Sequence, residues 1–235
     1  MQKTLVIGKG EVGVSLFNVL KKVYYDTYIK DVEPIDLENI DVLNICFPYS
    51  DKFEEYVKEY QTLYNPKLTI IHSTVPVGTS RKLGAVHSPI HGKHPNLEQG
   101  ILTFVKYVGC DNRDRAFEAS KFLARAGIVT KVVKNAETSE MSKIYCTTQY
   151  GLNIVLMKEM YAMCEKYDAD FDEAYKQWNK NYNDGYSELG MPQFRRYFLD
   201  HNPGKIGGHC VINNAKLLQE ESEVAKFILK KDEQY

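Results

Sequence analysis

At 235 residues, 43% of them hydrophobic, the chain is long enough to bury a full core and to divide into two parts. Thirty basic residues against 31 acidic ones leave no net field to draw in nucleic acid, and no basic cluster interleaves with aromatics. No apolar run approaches the ~20 residues of a membrane span, and Met1 leads almost directly into an apolar strand, so the expectation is a cytoplasmic chain without a leader.

The first strand runs into an intact Gly-x-Gly-x-x-Gly turn, Gly8-Lys9-Gly10-Glu11-Val12-Gly13. Gly8 permits the tight turn, Gly10 has no side chain to block a pyrophosphate, and Gly13 lets the next helix pack closely on the sheet. That helix is expected over 11–23, with Val12, Leu16, Val19, Leu20 and Val23 on one face and its positive end toward the phosphates. A second strand over 25–30 ends at Asp31, 18 residues beyond Gly13. An acid there accepts hydrogen bonds from an adenosine ribose and repels a 2′-phosphate, so the cofactor predicted is NAD rather than NADP.

Further strands are expected over 41–47, 68–72, 85–87, 103–109 and 128–133, with helices over 51–60, from Thr79, and over 113–126; residues 88–100 read as loop. The stretch after Asp31 is too short for another strand-helix unit, so the domain is abbreviated. Alternating strands and helices predict an α/β fold, a doubly wound Rossmann-type parallel sheet. Ligands of such sheets sit beyond the strands' carboxyl ends, which adds Glu11, Val12, Phe47, Pro48, Ser73 and Thr74 to the cofactor-binding set of Gly8, Gly10, Gly13 and Asp31.

From Asn135 the pattern turns helical. Met141, Ile144, Tyr145, Thr148, Leu152, Val155, Leu156 and Met163 recur at helical spacing in a helix over 138–167, roughly 45 Å long at 1.5 Å per residue. A helix of that length connects domains or packs on its copy, so the expected division is an NAD-binding domain over 1–134 and a helical dimerisation and substrate domain over 135–235. Other helices are expected over 171–179, 192–199 and 211–229, before a charged tail. The tyrosine-rich stretch 161–186 with Trp178 reads as core or dimer surface, with a base-stacking site as the alternative.

Five cysteines without a Cys-x-x-Cys pair read as reduced thiols. Cys46, Cys110, Cys146 and Cys164 read as packing residues. Cys210, behind a glycine-rich turn, is either a small apolar filler or an exposed nucleophile.

Three motifs in one order carry a resemblance. Ser73-Thr74-Val75-Pro76-Val77-Gly78-Thr79, Glu140-Met141-Ser142-Lys143, and Pro203-Gly204-Lys205-Ile206-Gly207-Gly208-His209-Cys210 resemble the loop, the lysine helix and the cysteine loop of the UDP-glucose/GDP-mannose dehydrogenase family. With the glycine turn, the likeness covers nearly the whole chain. It implies a four-electron oxidation of a nucleotide-sugar alcohol to a carboxylate with two NAD, with Cys210 as nucleophile, Lys143 stabilising an oxyanion and Thr74 helping to hold a water.

The chain departs from that family at four points. Thr147 stands where the family has a catalytic asparagine, and Asn214 where it has a proton-transferring aspartate. Ile90 and His94 stand in place of the family's loop carboxylates, and the chain stops about where a third domain would begin. His94 or His91 is expected to replace the missing glutamate as a base, with polar loop residues or a metal site as the other readings; no metal is assigned. The partners expected are a sugar nucleotide or phosphorylated sugar and a second copy of the chain, with neither nucleic acid nor membrane. The competing reading is a non-catalytic NAD-binding or regulatory paralogue.

Overall fold

A computed structural model of the chain describes residues 2–92, 95–207 and 209–235. It divides into two compact units, Met1–Lys143 and Ile144–Tyr235.

In the first unit, strands β1 (Thr4–Ile7), β2 (Thr27–Lys30), β3 (Val42–Ile45), β4 (Leu68–Ile71) and β5 (Val86–His87) are parallel, in the order β2-β1-β3-β4-β5. Thr4 lies opposite both Thr27 and Val42, and Ile7 opposite both Lys30 and Ile45, so the carboxyl ends of the three strands finish level. The chain enters at β1, turns one way to β2 and then crosses to β3. That reversal creates a crevice at the carboxyl ends of β1 and β3, where doubly wound sheets bind ligands. The connection over 31–41 that makes the crossing has no helix, as its brevity predicts.

Both faces of the sheet are covered, which explains why its strands read as almost unbroken apolar runs. Val6, Val42, Leu68 and Ile70 pack on one side with Leu16, Val19 and Leu20 of α1 (Glu11–Lys21). Leu5, Ile7, Leu43 and Ile45 pack on the other with Phe53 and Val57 of α2 (Phe53–Tyr64). Short α3 (Thr79–Lys82) follows β4. A second parallel pair, β6 (Lys106–Val108) and β7 (Thr130–Val132), flanks α5 (Arg113–Arg125) in sequence and joins the main sheet through the antiparallel bridge between His87 and Gly109.

The expected loop over 88–100 and strand from Thr103 are corrected: Leu97–Thr103 forms α4. Its buried side is Leu97, Gly100 and Ile101, one helical turn of small and apolar residues, and a Cβ on Gly100 would lie 2.9 Å from the Gly92 Cα. Close backbone packing, invisible in a single sequence, decides this segment.

The long helix α6 (Ala136–Tyr167) begins in the first unit and runs into the second. A six-residue π-helical stretch, Asp172–Gln177, leads without a break into α7 (Trp178–Glu188), longer than the helix expected over 171–179. Two further helix expectations are corrected. Over 192–199 only Pro192–Phe194 turns, as a 3-10 helix, because the Asn183 side chain takes over the backbone of Arg196, accepting from its N–H at 2.6 Å and donating to its carbonyl at 2.8 Å. The helix expected over 211–229 is two, α8 (His209–Leu218) and α9 (Glu223–Gln234). Ser222 caps the second by accepting from the Ala225 N–H, and α9 absorbs most of the charged tail. Gly151 lets α6 meet both, since a Cβ there would lie 2.7 Å from Val211 Cγ1 and 3.3 Å from Ile228 Cδ1.

Candidate active site

Within the first unit the glycine turn occupies the crevice. Gly8 has φ +107°, and a Cβ on it would sit 3.0 Å from the Phe47 nitrogen, so β1 and β3 approach too closely there for any other residue. A Cβ on Gly13 would lie 1.8 Å from the Gly8 carbonyl oxygen, which fixes how tightly α1 returns over the turn. Gly10 is exposed, with open space where its Cβ would be, and it ends the chain's approach to α1 without a side-chain cap on the helix N–H groups. An uncapped helix start lined by glycine is a cradle for a diphosphate. Glu11 is exposed and Val12 half-buried at that start; Asp31 is exposed just beyond β2, and Phe47 and Pro48 follow β3. These residues fit a dinucleotide.

The loop after β4 forms the far wall. Ser73 Oγ donates to the Phe47 carbonyl at 2.6 Å, tying this loop to the end of β3, while Thr74 stays half-buried beside it. The start of α6 grips the same loop. Glu140, fully buried, accepts from the N–H groups of Gly78 at 2.6 Å and Ser80 at 2.8 Å. Burial raises its pKa, opposed by those N–H groups. His87 continues the tie, with Nε2 donating to the Ser73 carbonyl at 3.1 Å and Nδ1 paired with Ser139 Oγ at 2.8 Å. Its burial pushes its pKa down to about 3, so it is neutral and structural.

Lys143, one turn along α6 from Glu140, is half-buried and donates from Nζ to the Ile90 carbonyl at 2.8 Å. The preceding carbonyls of that strap, Ser88 and Pro89, accept from Lys106 Nζ at 2.5 and 3.0 Å. Lys106 is wholly inside, and burial pushes its pKa down to about 7. Two lysines therefore hold three consecutive carbonyls. Neither Lys106 nor the structural role of Glu140 and Ser139 was legible beforehand: an inward-facing lysine on a three-residue strand has no sequence signal.

His91 is half-buried, and burial, with Lys143 and Lys106 nearby, pushes its pKa down to about 4. It is therefore neutral at pH 7. His94 lies outside the described residues.

In the second unit Cys210 is exposed in the first turn of α8, the end of a helix that favours negative charge. The loop leading to it uses left-handed Gly204 (φ +78°) and Gly207 (φ +68°). Buried Lys158 of α6 anchors that loop, donating to the carbonyls of Asn202 at 2.6 Å and Gly204 at 2.5 Å, and Asp232 of α9 accepts from the Ile206 N–H at 2.7 Å. Asn214 donates to Thr147 Oγ1 at 3.0 Å, so two positions at which the sequence departs from the family pattern bond to one another. Cys46, Cys110 and Cys164 are buried as expected, but Cys146 is exposed, because it falls on the outer side of α6. Among the described residues no group of His, Cys, Asp and Glu side chains could hold a metal ion, and no helix is long and apolar enough to cross a membrane.

A parallel sheet with a reversal of strand order, a glycine turn at the reversal and helices on both faces defines a Rossmann-type dinucleotide-binding fold. Residues 137–230 match the family model described as UDP-glucose/GDP-mannose dehydrogenase family, central domain. The UDP-N-acetyl-D-mannosamine dehydrogenase of Methanocaldococcus jannaschii is 26% identical over 217 residues, 81% of this chain and 47% of that protein. The solved UDP-D-ManNAc dehydrogenase from Pyrococcus horikoshii shares the fold with a TM-score of 0.83 at 18% identity, covering 99% of this chain and 68% of that one. A 3-hydroxyisobutyrate dehydrogenase of Mycobacterium tuberculosis matches with a TM-score of 0.70 at 12% identity, covering 100% of this chain and 94% of that one. Residues 137–230 are thus similar to the central domain of the UDP-glucose/GDP-mannose dehydrogenase family, and the chain spans about half the length of the curated relatives it matches.

Proposed function

We propose that the chain is an NAD-dependent dehydrogenase that oxidises an alcohol carbon of a nucleotide-activated sugar. The observation that carries this reading is the uncapped, glycine-lined start of α1 at the reversal of a parallel sheet, in a chain whose residues 137–230 match the central domain of nucleotide-sugar dehydrogenases. Bound at Gly8, Gly10, Glu11, Val12, Gly13, Asp31, Phe47, Pro48, Ser73 and Thr74, NAD supplies the hydride acceptor.

The chain's own residues divide the remaining work. Loss of the hydroxyl proton to a base, and of a hydride from the carbinol carbon to NAD, turns the alcohol into an aldehyde. The Cys210 thiolate adds to that carbonyl carbon, forming a C–S bond and an alkoxide, and the Lys143 ammonium stabilises the developing negative oxygen. Loss of a second hydride, to a second NAD that would replace the first, gives a thioester, and a water held with the help of Thr74 hydrolyses it to carboxylate and free thiol. His94 is assigned the proton transfer of that last step.

One observation favours a shorter reaction. The Asn214 amide, engaged with Thr147, cannot take a proton at neutral pH. A chain without that base is suited to a single two-electron oxidation, or to cofactor binding alone. Replacing Cys210 with Ala separates these possibilities: the four-electron reading predicts that carboxylate formation falls at least a hundredfold while NADH binding is unchanged. Equal carboxylate from both proteins would remove Cys210 from the mechanism.

We also assign homodimerisation to α6. Ile144, Thr148 and Val155 of this helix are buried, whereas Tyr145, Leu152, Leu156 and Met163 form an exposed apolar stripe on another side, the pattern of a helix with a missing partner.

A further inference from the structure

We propose that Tyr60 sets the dinucleotide preference of this chain by holding the ammonium of Lys30 away from the ribose side of Asp31. The proposal rests on the reading of the β1–β3 crevice as a dinucleotide site.

Strand β2 ends in two opposite charges, Lys30 and then Asp31. A cation at that place is the usual partner of a 2′-phosphate, and an anion the usual partner of free ribose hydroxyls. From sequence the two charges oppose one another. The structure exposes them unequally: Asp31 is exposed, whereas Lys30 is only 5% exposed, still attracted by Asp31 but not ion-paired with it among the described contacts. Alternation along an extended chain points adjacent side chains in opposite directions, and Lys30 takes the inward one.

What receives it is Tyr60. The Lys30 Nζ lies 4.7 Å from the centre of the Tyr60 ring, a distance at which a desolvated ammonium is attracted to the ring face. The ring is itself fixed, with Tyr64 stacked at 6.4 Å one turn along α2 and Phe47 meeting it edge-on at 6.2 Å. Phe47 is the residue whose nitrogen lies against Gly8, so the holder of the lysine is built into the wall of the crevice. With the ammonium over the ring, Asp31 is the charge that faces the ribose, and a 2′-phosphate meets repulsion. Removing the ring frees a flexible four-carbon cation next to Asp31, within reach of the position a 2′-phosphate would take.

The test is fluorescence titration of NADH and NADPH against wild type, Tyr60→Phe, Tyr60→Leu, Lys30→Met and Tyr60→Leu/Lys30→Met. Wild type and Tyr60→Phe, which keeps the ring, prefer NADH to the same degree. Tyr60→Leu narrows the preference about tenfold through tighter NADPH binding, and the double variant restores it. Lys30→Met, which leaves Tyr60 in place, binds NADPH no more weakly than wild type. An unchanged preference in Tyr60→Leu overturns the proposal, as does equal narrowing with Lys30 absent or a loss of NADPH affinity in Lys30→Met. Wild type that binds neither dinucleotide overturns the cofactor site itself; wild type that binds NADH while the variants disagree with the pattern overturns only the role of Tyr60.

Discussion

Gly10 and Gly13 occupy one motif for different physical reasons, and substitution separates them. A methyl at Gly10 meets open space, so Gly10→Ala leaves the unfolding midpoint within about 1 °C while it obstructs the diphosphate and weakens NADH binding tenfold or more. A methyl at Gly13 would press into the Gly8 carbonyl at 1.8 Å, a clash with backbone that forces α1 off the sheet and costs more than about 2 kcal/mol. Thermal unfolding and NADH titration of both variants check this; equal loss of stability would mean the turn is only structural. The glycine turn was legible because it belongs to a local pattern. Lys106, His87 and Ser139 were not, since what gives them meaning is the carbonyl or hydroxyl that folding brings to them from distant positions.

At the scale of elements, the carboxyl ends of β4 and β5 and the strap after them carry a polar row inside an apolar sheet. His72, wholly buried, has contacts of 3.0 Å with both Asn44 Oδ1 and the Ser88 carbonyl, and His87 joins Ser73 to Ser139. Burial pushes His87 down to about 3 and His91 to about 4, against 6.5 for a free histidine. Both are neutral when folded and take up a proton when unfolded, so their contribution is complete above pH 6.5 and is lost as pH falls below it. His87, wholly buried, should remove about 2 kcal/mol of stability between pH 7 and pH 5, and half-buried His91, screened by solvent, less. Urea titrations at the two values, for wild type and His87→Gln, test the sign: the variant loses less than wild type over that range, and equal losses would contradict it. Strand and helix identities were well marked by apolar runs and periodicity. The errors at 97–103, 192–199 and 219–222 share a cause, in that Gly100 packing, the Asn183 clamp and the Ser222 cap are set by tertiary partners or by one side chain's choice of backbone group.

At the scale of the whole molecule, the α6 stripe predicts a homodimer. Light scattering should give twice the 27.0 kDa chain mass, and Leu156→Glu should halve it; a monomeric wild type would leave the stripe to another partner. The broad architecture was legible because the glycine turn, the alternation of strands with helices and the long helical stretch are global patterns. Thr147 and Asn214 read as two isolated departures until the fold joined them by a hydrogen bond, because a contact between positions 67 residues apart has no local sequence signal.

Whether the crevice serves turnover of a nucleotide sugar is decided by the NADH formed per molecule of sugar consumed, with NAD in excess, across UDP- and GDP-sugars including UDP-N-acetylhexosamines. Sustained NADH formation is expected, many molecules per chain, at two per sugar for the full oxidation or one per sugar if the Asn214–Thr147 pair stops it at the first step. Saturable NADH binding with no turnover of any of these sugars would contradict it and leave a dinucleotide-binding protein without dehydrogenase activity.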